Sequence, residues 1–201
     1  MECEHKIDIQ ALTVGQLLRD YGAILDELRR REIVRSTNNP VSDYAELLFC
    51  NAFGWRREVN SASGYDATDE NGLRYQIKAR RLTPTAGPSG QSRQLSAIRT
   101  LDDSASAPFD FLAGLLVDAN FQVIRAALVP VAVVRQRSKY VKHTNSRRFL
   151  LHDDVWNLPG VKDVTAEVRA AAIACERRDG DPGGRVDSRR LGADEDQRIG
   201  T

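Results

Sequence analysis

The sequence predicts an α/β fold, with a mixed central β-sheet flanked by helices, an N-terminal amphipathic helix and a disordered C-terminal tail. Three observations carry this. Apolar residues recur at helical spacing near the N-terminus, a period-two run follows a hairpin signal, and two later apolar runs have strand length. Thr13 and Gln16 have the capping-box form, and Val14, Leu17, Leu18, Tyr21, Ile24, Leu25 and Leu28 then mark one helix face, expected to run to about Glu32. Residues 36–40 read as a break. Asn39 or Ser42 is the expected cap of a second helix carrying Tyr44, Leu47, Leu48 and Ala52 and ended by Gly54.

From residue 57 the period becomes two. Leu73, Tyr75, Ile77 and Ala79 alternate with Arg74, Gln76, Lys78 and Arg80, as in a half-buried strand. Glu70-Asn71-Gly72 separates it from a shorter strand at 65–69, so the pair reads as a β-hairpin. Residues 83–92 are a loop. The runs 109–117 and 123–129 suit buried strands, 149–151 suits a further short strand, and 164–175 a closing helix. The division expected is a helical segment at 1–35, one domain at 36–176 and a disordered tail at 177–201, where glycine is frequent and apolar residues are few.

The chain has 201 residues, 41% hydrophobic and 28% charged, enough for one domain with a real core and without disulfides. Three scattered cysteines make neither a disulfide framework nor a zinc site. The longest uncharged apolar stretch, 126–134, is too short for a membrane span. The opening residues lack the apolar run of a secretory leader, so a cytoplasmic protein is expected. Neither a P-loop nor a dinucleotide fingerprint is present, so no small-molecule cofactor is expected. Ser61, Ser63, Cys50 and Cys175 have no His or Asp partner at motif spacing, which removes the nucleophile triads.

A net charge of +1 conceals segregation. Residues 71–101 hold six basic residues and no acid, and residues 119–152 hold seven and no acid. Unless they are solvated faces, such stretches make a local positive field whose natural partner is a polyanion. If they converge, Arg80, Arg81, Arg93, Lys139, Lys142 and Arg147 would hold backbone phosphates of DNA. Asn145 would be best placed for base contacts. His143 reads as a hydrogen-bond donor in the same loop, because nothing nearby orients it as a general base.

The hairpin carries the chemistry. A three-residue loop usually ends in a left-handed residue, and Gly72 stands there. Asp69 then faces Leu73 and Asp66 faces Gln76, on one sheet face that Lys78 shares. A two- or four-residue loop would move Asp66 to the opposite face. A carboxylate and an amide oxygen suit a hard divalent ion such as Mg²⁺ or Mn²⁺, and Lys78 could hold or acidify a water beside it. Glu46, on the second helix, is a candidate extra carboxylate.

Glu46 on a helix, then Asp66, then Gln76-Ile77-Lys78 on a strand resembles the PD-(D/E)xK nuclease superfamily, the restriction-endonuclease-like fold, over roughly residues 42–134. Here Gln76 stands where the family usually has an acid, a variant found among restriction-type nucleases, and Tyr65 stands in place of the proline. The resemblance implies that Asp66 and Gln76 ligate Mg²⁺, that Ile77 contributes its backbone carbonyl, that Lys78 serves the attacking water, and that Glu46 assists. It implies a DNA endonuclease of restriction or other anti-phage defence. The alternative is a catalytically inactive nucleic-acid-binding module of the same fold. A third reading is a structural domain that binds a protein through the 14–28 helix. That stripe packs either on the core or on a second copy in a homodimer.

Overall fold

The computed structural model describes residues 8–35, 39–58, 64–83, 92–99, 101 and 107–179. Helix α1 (Val14–Arg30) opens with the expected capping box, in which Thr13 and Gln16 cap each other. It ends two residues earlier than the stripe implied. None of its residues is buried, and Val14 and Leu18 are 74% and 67% exposed. The stripe therefore does not pack on the core of its own chain.

Helix α2 (Val41–Phe53) follows, with Gly54 in the left-handed conformation at its C-cap. Pro40 occupies the N-cap position, and Asn39 lies one residue earlier, accepting the Val41 N–H at 3.1 Å. The strands β1 (Arg56–Arg57), β2 (Ala67–Thr68), β3 (Arg74–Arg81), β4 (Phe111–Val117), β5 (Val123–Pro130) and β8 (Lys162–Asp163) form a six-stranded sheet. Its order is β1-β2-β3-β4-β5-β8. The β3–β4 pair is parallel and the others are antiparallel, so the sheet is mixed.

One face is covered by α2 and by α4 (Thr165–Asp179), which close over Tyr75, Ile77, Ala79, Leu115 and Leu128. The other face carries Leu112 and Leu116, and packs Leu95, Ile98, Phe149 and Leu151. A stack of Phe53, Trp55, Tyr75 and Phe111 runs along the first core, with Trp55 and Tyr75 ring centroids 3.7 Å apart. Lys78 lies beside Gly114 of β4, and a Cβ at Gly114 would sit 2.9 Å from Leu151 Cδ2. Gly114→Ala is accordingly expected to lower unfolding stability by about 1–3 kcal/mol through overpacking, measured by urea denaturation.

Several expectations are corrected. Helix α3 (Val131–Arg137), absent from the sequence expectations, follows directly on β5, the strand expected at 123–129. Pro130 ends β5 and opens the helix, and the Val131 N–H is taken by Asp110 O at 3.0 Å. Burial of Val134 overrides the poor helix propensity of three valines. No strand forms at 149–151. A small hairpin of β6 (Lys139–Val141) and β7 (Ser146–Arg148) stands before it, and Leu150 makes a single bridge to Gln94. Helix α4 continues through Asp179, past the expected start of the tail at 177. The rest of that tail lies outside the described residues, as does most of the 83–92 loop. Among the described residues, no helix is long and apolar enough to cross a membrane.

Candidate functional site

The hairpin has the three-residue loop. Ala67 pairs with Tyr75 and Thr68 with Arg74, Asp69 and Leu73 close the turn with an N–H···O bond of 3.1 Å, and Gly72 takes φ 78°. Asp69 Oδ1 also accepts the N–H groups of Asn71 and Leu73, an Asx turn that holds the loop to this length. The ladder then stops at Ala67, so Asp66 stands just beyond it and turns its side chain to β3.

There, Asp66 Oδ2 accepts the Ile77 backbone N–H at 2.6 Å and a hydrogen bond from Gln76 Nε2. Asp66 and Gln76 are 7% and 6% exposed. Gln76 thus turns its amide nitrogen, not its oxygen, to the carboxylate. Ile77 likewise presents N–H to Asp66. A residue's N–H and C=O leave a strand at the same edge, so the Ile77 carbonyl points to that edge also. Lys78 is half-buried, two residues along, and its ammonium has no hydrogen-bond or ion-pair partner among the described residues.

Glu46 comes from the other side of the sheet, on a buried turn of α2 that packs against β3. Its Oε2 accepts from Arg35 Nη2 and from Arg57 Nε, the latter at 3.0 Å. Burial pushes the Glu46 carboxyl above the usual carboxylate range, the Asp66 charge pushes it further, and Arg57 and Arg35 oppose both. A raised value also means that ionised Glu46 is a cost at neutral pH, relieved as pH falls or by a cation placed between the two carboxylates.

Arg35 and Arg57 are absent from the pattern read along the sequence. Arg35 also donates its N–H to Asp43 Oδ2 at 3.0 Å and Nη1 to Glu58 O, and Arg57 donates Nη2 to Asp43 O. One signal was available: Asp43 and Glu46 are three apart on an otherwise apolar helix face, and buried acids require cationic partners.

Does this donor set suit a hard divalent ion? Both hydrogen bonds to Asp66 fall on Oδ2. Among the described residues neither Asp66 Oδ1 nor Gln76 Oε1 is a buried atom lacking a partner, so neither is sealed from water. Rotation of the Gln76 amide would put Oε1 in the place of Nε2, beside Oδ2. Oxygen donors next to water fit an ion that keeps most of its own waters. The set is lean, for no group of three or more His, Cys, Asp or Glu residues is placed to hold a metal among the described residues.

The expected phosphate surface is rearranged more strongly. Residues 92–99 and 146–150 do run side by side, with bridges Gln94 to Leu150 and Ile98 to Arg147, on the sheet face that Gln76 and Lys78 share. Many of the cations there are matched by acids from elsewhere in the chain. Arg93 pairs with Asp153 at 2.6 Å, Arg125 with Asp153 and Asp163, Arg137 with Asp154, and Arg74 with Asp110. Arg81 bonds Ala119 O and lies 4.4 Å over the Phe121 ring.

Arg147 is only 7% exposed, bonded to Leu101 O and Ser138 Oγ. It is scaffold, and Arg147→Ala should cost about 3 kcal/mol of stability by orphaning buried acceptors, read as a lower urea midpoint. Arg80, Lys139, Lys142 and His143 are exposed. Asn145 takes φ 41° at the turn of the small hairpin and accepts the Tyr140 hydroxyl at 3.0 Å. No family model matches the chain, and no curated protein matches it.

Proposed function

We propose that the chain is a metal-dependent deoxyribonuclease with a restriction-endonuclease-like core, of the kind used in restriction or other anti-phage defence. One observation carries this: the buried Asp66 carboxylate meets the Gln76 side chain and the Ile77 N–H, with Lys78, which has no partner among the described residues, two residues on from Gln76 and Glu46 on α2 nearby. Asp66 and Gln76, with the Ile77 carbonyl, would hold Mg²⁺ or Mn²⁺, and Glu46 would add a second carboxylate. A divalent ion supplies charge neutralisation at the phosphate and makes a nearby water more acidic.

The protein's own groups do the remainder. The Ile77 N–H fixes Asp66 through Oδ2, leaving Oδ1 for the ion. The half-buried Lys78 ammonium holds the attacking water and stabilises charge growing on the phosphate, which is where a cation accelerates an in-line displacement. Exposed cations on β3 and the small hairpin favour a phosphate backbone, in a salt-dependent way.

A second reading, a nucleic-acid-binding module of the same fold without cleavage, is favoured by Gln76 in place of an acid and by the two arginines on Glu46. Incubation of the purified protein with plasmid and phage DNA in Mg²⁺, Mn²⁺ or EDTA separates them. Nicking or linearisation that requires the divalent ion is the expected result. Salt-sensitive binding without cleavage in either metal would leave the binding module.

A further inference from the structure

A cavity of about 730 Å³ lies where the C-terminal end of α1 meets α2 and α4. Its lining includes Arg29, Arg31, Arg35 and Arg57, a single acid, Glu32, and the free thiol of Cys175. None of these arginines belongs to the acid-free stretches that the sequence marks as basic. Arg35 and Arg57 face the cavity and also hold Glu46, so whatever occupies the cavity sits beside the candidate site.

Two exposed ion pairs of the outer arginines are easily exchanged. Arg29 pairs with Asp26 and Arg31 with Glu27 on the open surface of α1, and exposed pairs of this kind contribute little. Guanidinium groups bind phosphate, as they bind carboxylate, through two parallel N–H···O bonds. Ile33, Val34 and Leu47 line the same cavity with apolar surface, which strengthens such bonds by excluding water.

We propose that this cavity is a phosphate-binding pocket that takes a backbone phosphoryl group of the nucleic acid presented to the site. The assignment rests on the nuclease reading for its ligand, though not for its chemistry. Arg29 and Arg31 receive the phosphate, while Arg35 and Arg57 link it to Glu46.

Cys175 is a reporter inside the pocket. The full-length protein in EDTA is alkylated with iodoacetamide, a neutral reagent, and modification of the Cys175 peptide is followed by mass spectrometry. The additions are inorganic tripolyphosphate or a short DNA duplex, whose binding is measured separately by anisotropy. Both should slow Cys175 alkylation. In Arg29→Gln/Arg31→Gln, protection should require roughly tenfold or more ligand, the effect of losing charge-assisted bonds. Unchanged alkylation with DNA bound, or protection undiminished in the double variant, would overturn the pocket. Protection by tripolyphosphate alone would overturn the backbone assignment. Loss of the nuclease reading looks different: no divalent-dependent cleavage, with the tripolyphosphate footprint intact.

Discussion

Lys78→Ala is expected to reduce plasmid cleavage by roughly 10²–10⁴-fold, the range for removing a positioned proton-handling group. The ammonium is half-buried on the strand face that it shares with Gln76, and it has no partner among the described residues. Among the described residues it closes no ion pair, so its removal should leave the described fold intact. DNA binding should survive, because one phosphate contact changes the slope of log affinity against log salt by only about 0.9. Arg80→Ala is the control. Arg80 is exposed two residues further along the same strand face, so its loss should alter the salt slope and leave the cleavage rate nearly unchanged. Single-turnover cleavage and binding titrations from low to moderate salt measure both. Wild-type cutting by Lys78→Ala would remove the assigned chemistry.

Gln76→Glu should have the second largest effect, and it is legible without any turnover. Gln76 Nε2 now donates to Asp66 Oδ2 in a buried contact. Glutamate would place a second carboxylate there, removing the donor and opposing two like charges. Without metal, the variant should be less stable at pH 8 by about 2–4 kcal/mol, the scale of an uncompensated buried charge. The sign follows from the shift. The new carboxyl's folded value is raised above its unfolded one, so the penalty is full at high pH and fades as pH falls and the pair shares a proton. Mn²⁺ should reverse the penalty and raise Tm more in the variant than in wild type, because three carboxylates then surround one cation. Thermal melts across pH, with Mn²⁺ or EDTA, measure this. An unchanged Tm in EDTA together with no response to Mn²⁺ would exclude a metal position between residues 66 and 76.

The hairpin shows how much of the site could be read along the chain. Its register depends on a short-range count, three residues from Asp69 to Gly72, and Gly72 supplies the left-handed backbone that the count requires. Once the loop length holds, period-two geometry pairs Thr68 with Arg74 and Ala67 with Tyr75 and puts Gln76 and Lys78 on one face of β3. Asp66, by contrast, leaves the ladder, its N–H bonded to Tyr75 O at 2.8 Å. The orientation of the amide is another matter. The ladder breaks at Ala67, and which end of Gln76 meets Asp66 depends on the Ile77 N–H beside it.

Helix boundaries divide in the same way. The caps at Thr13 and Gly54 act within one turn and were visible. Helix α3 was hidden, since burial of Val134 and the Val131 bond to Asp110 select a helix from residues that prefer strand.

Local chemistry in the sequence by itself determined the α/β pattern, the hairpin register and the strand face that Gln76 and Lys78 share. Only the tertiary structure decided which charges remain available. Charge segregation is a property of the chain, whereas electrostatic potential is a property of distances. Asp153 neutralises Arg93 and Arg125 from far along the sequence, and Arg147, in the small hairpin, is buried. Meanwhile arginines from the end of α1, the connection after it and β1 gather around a single cavity beside Glu46. Coulomb interactions fall off with separation in space and are indifferent to separation in sequence, so no linear count of basic residues could have moved the candidate phosphate surface there.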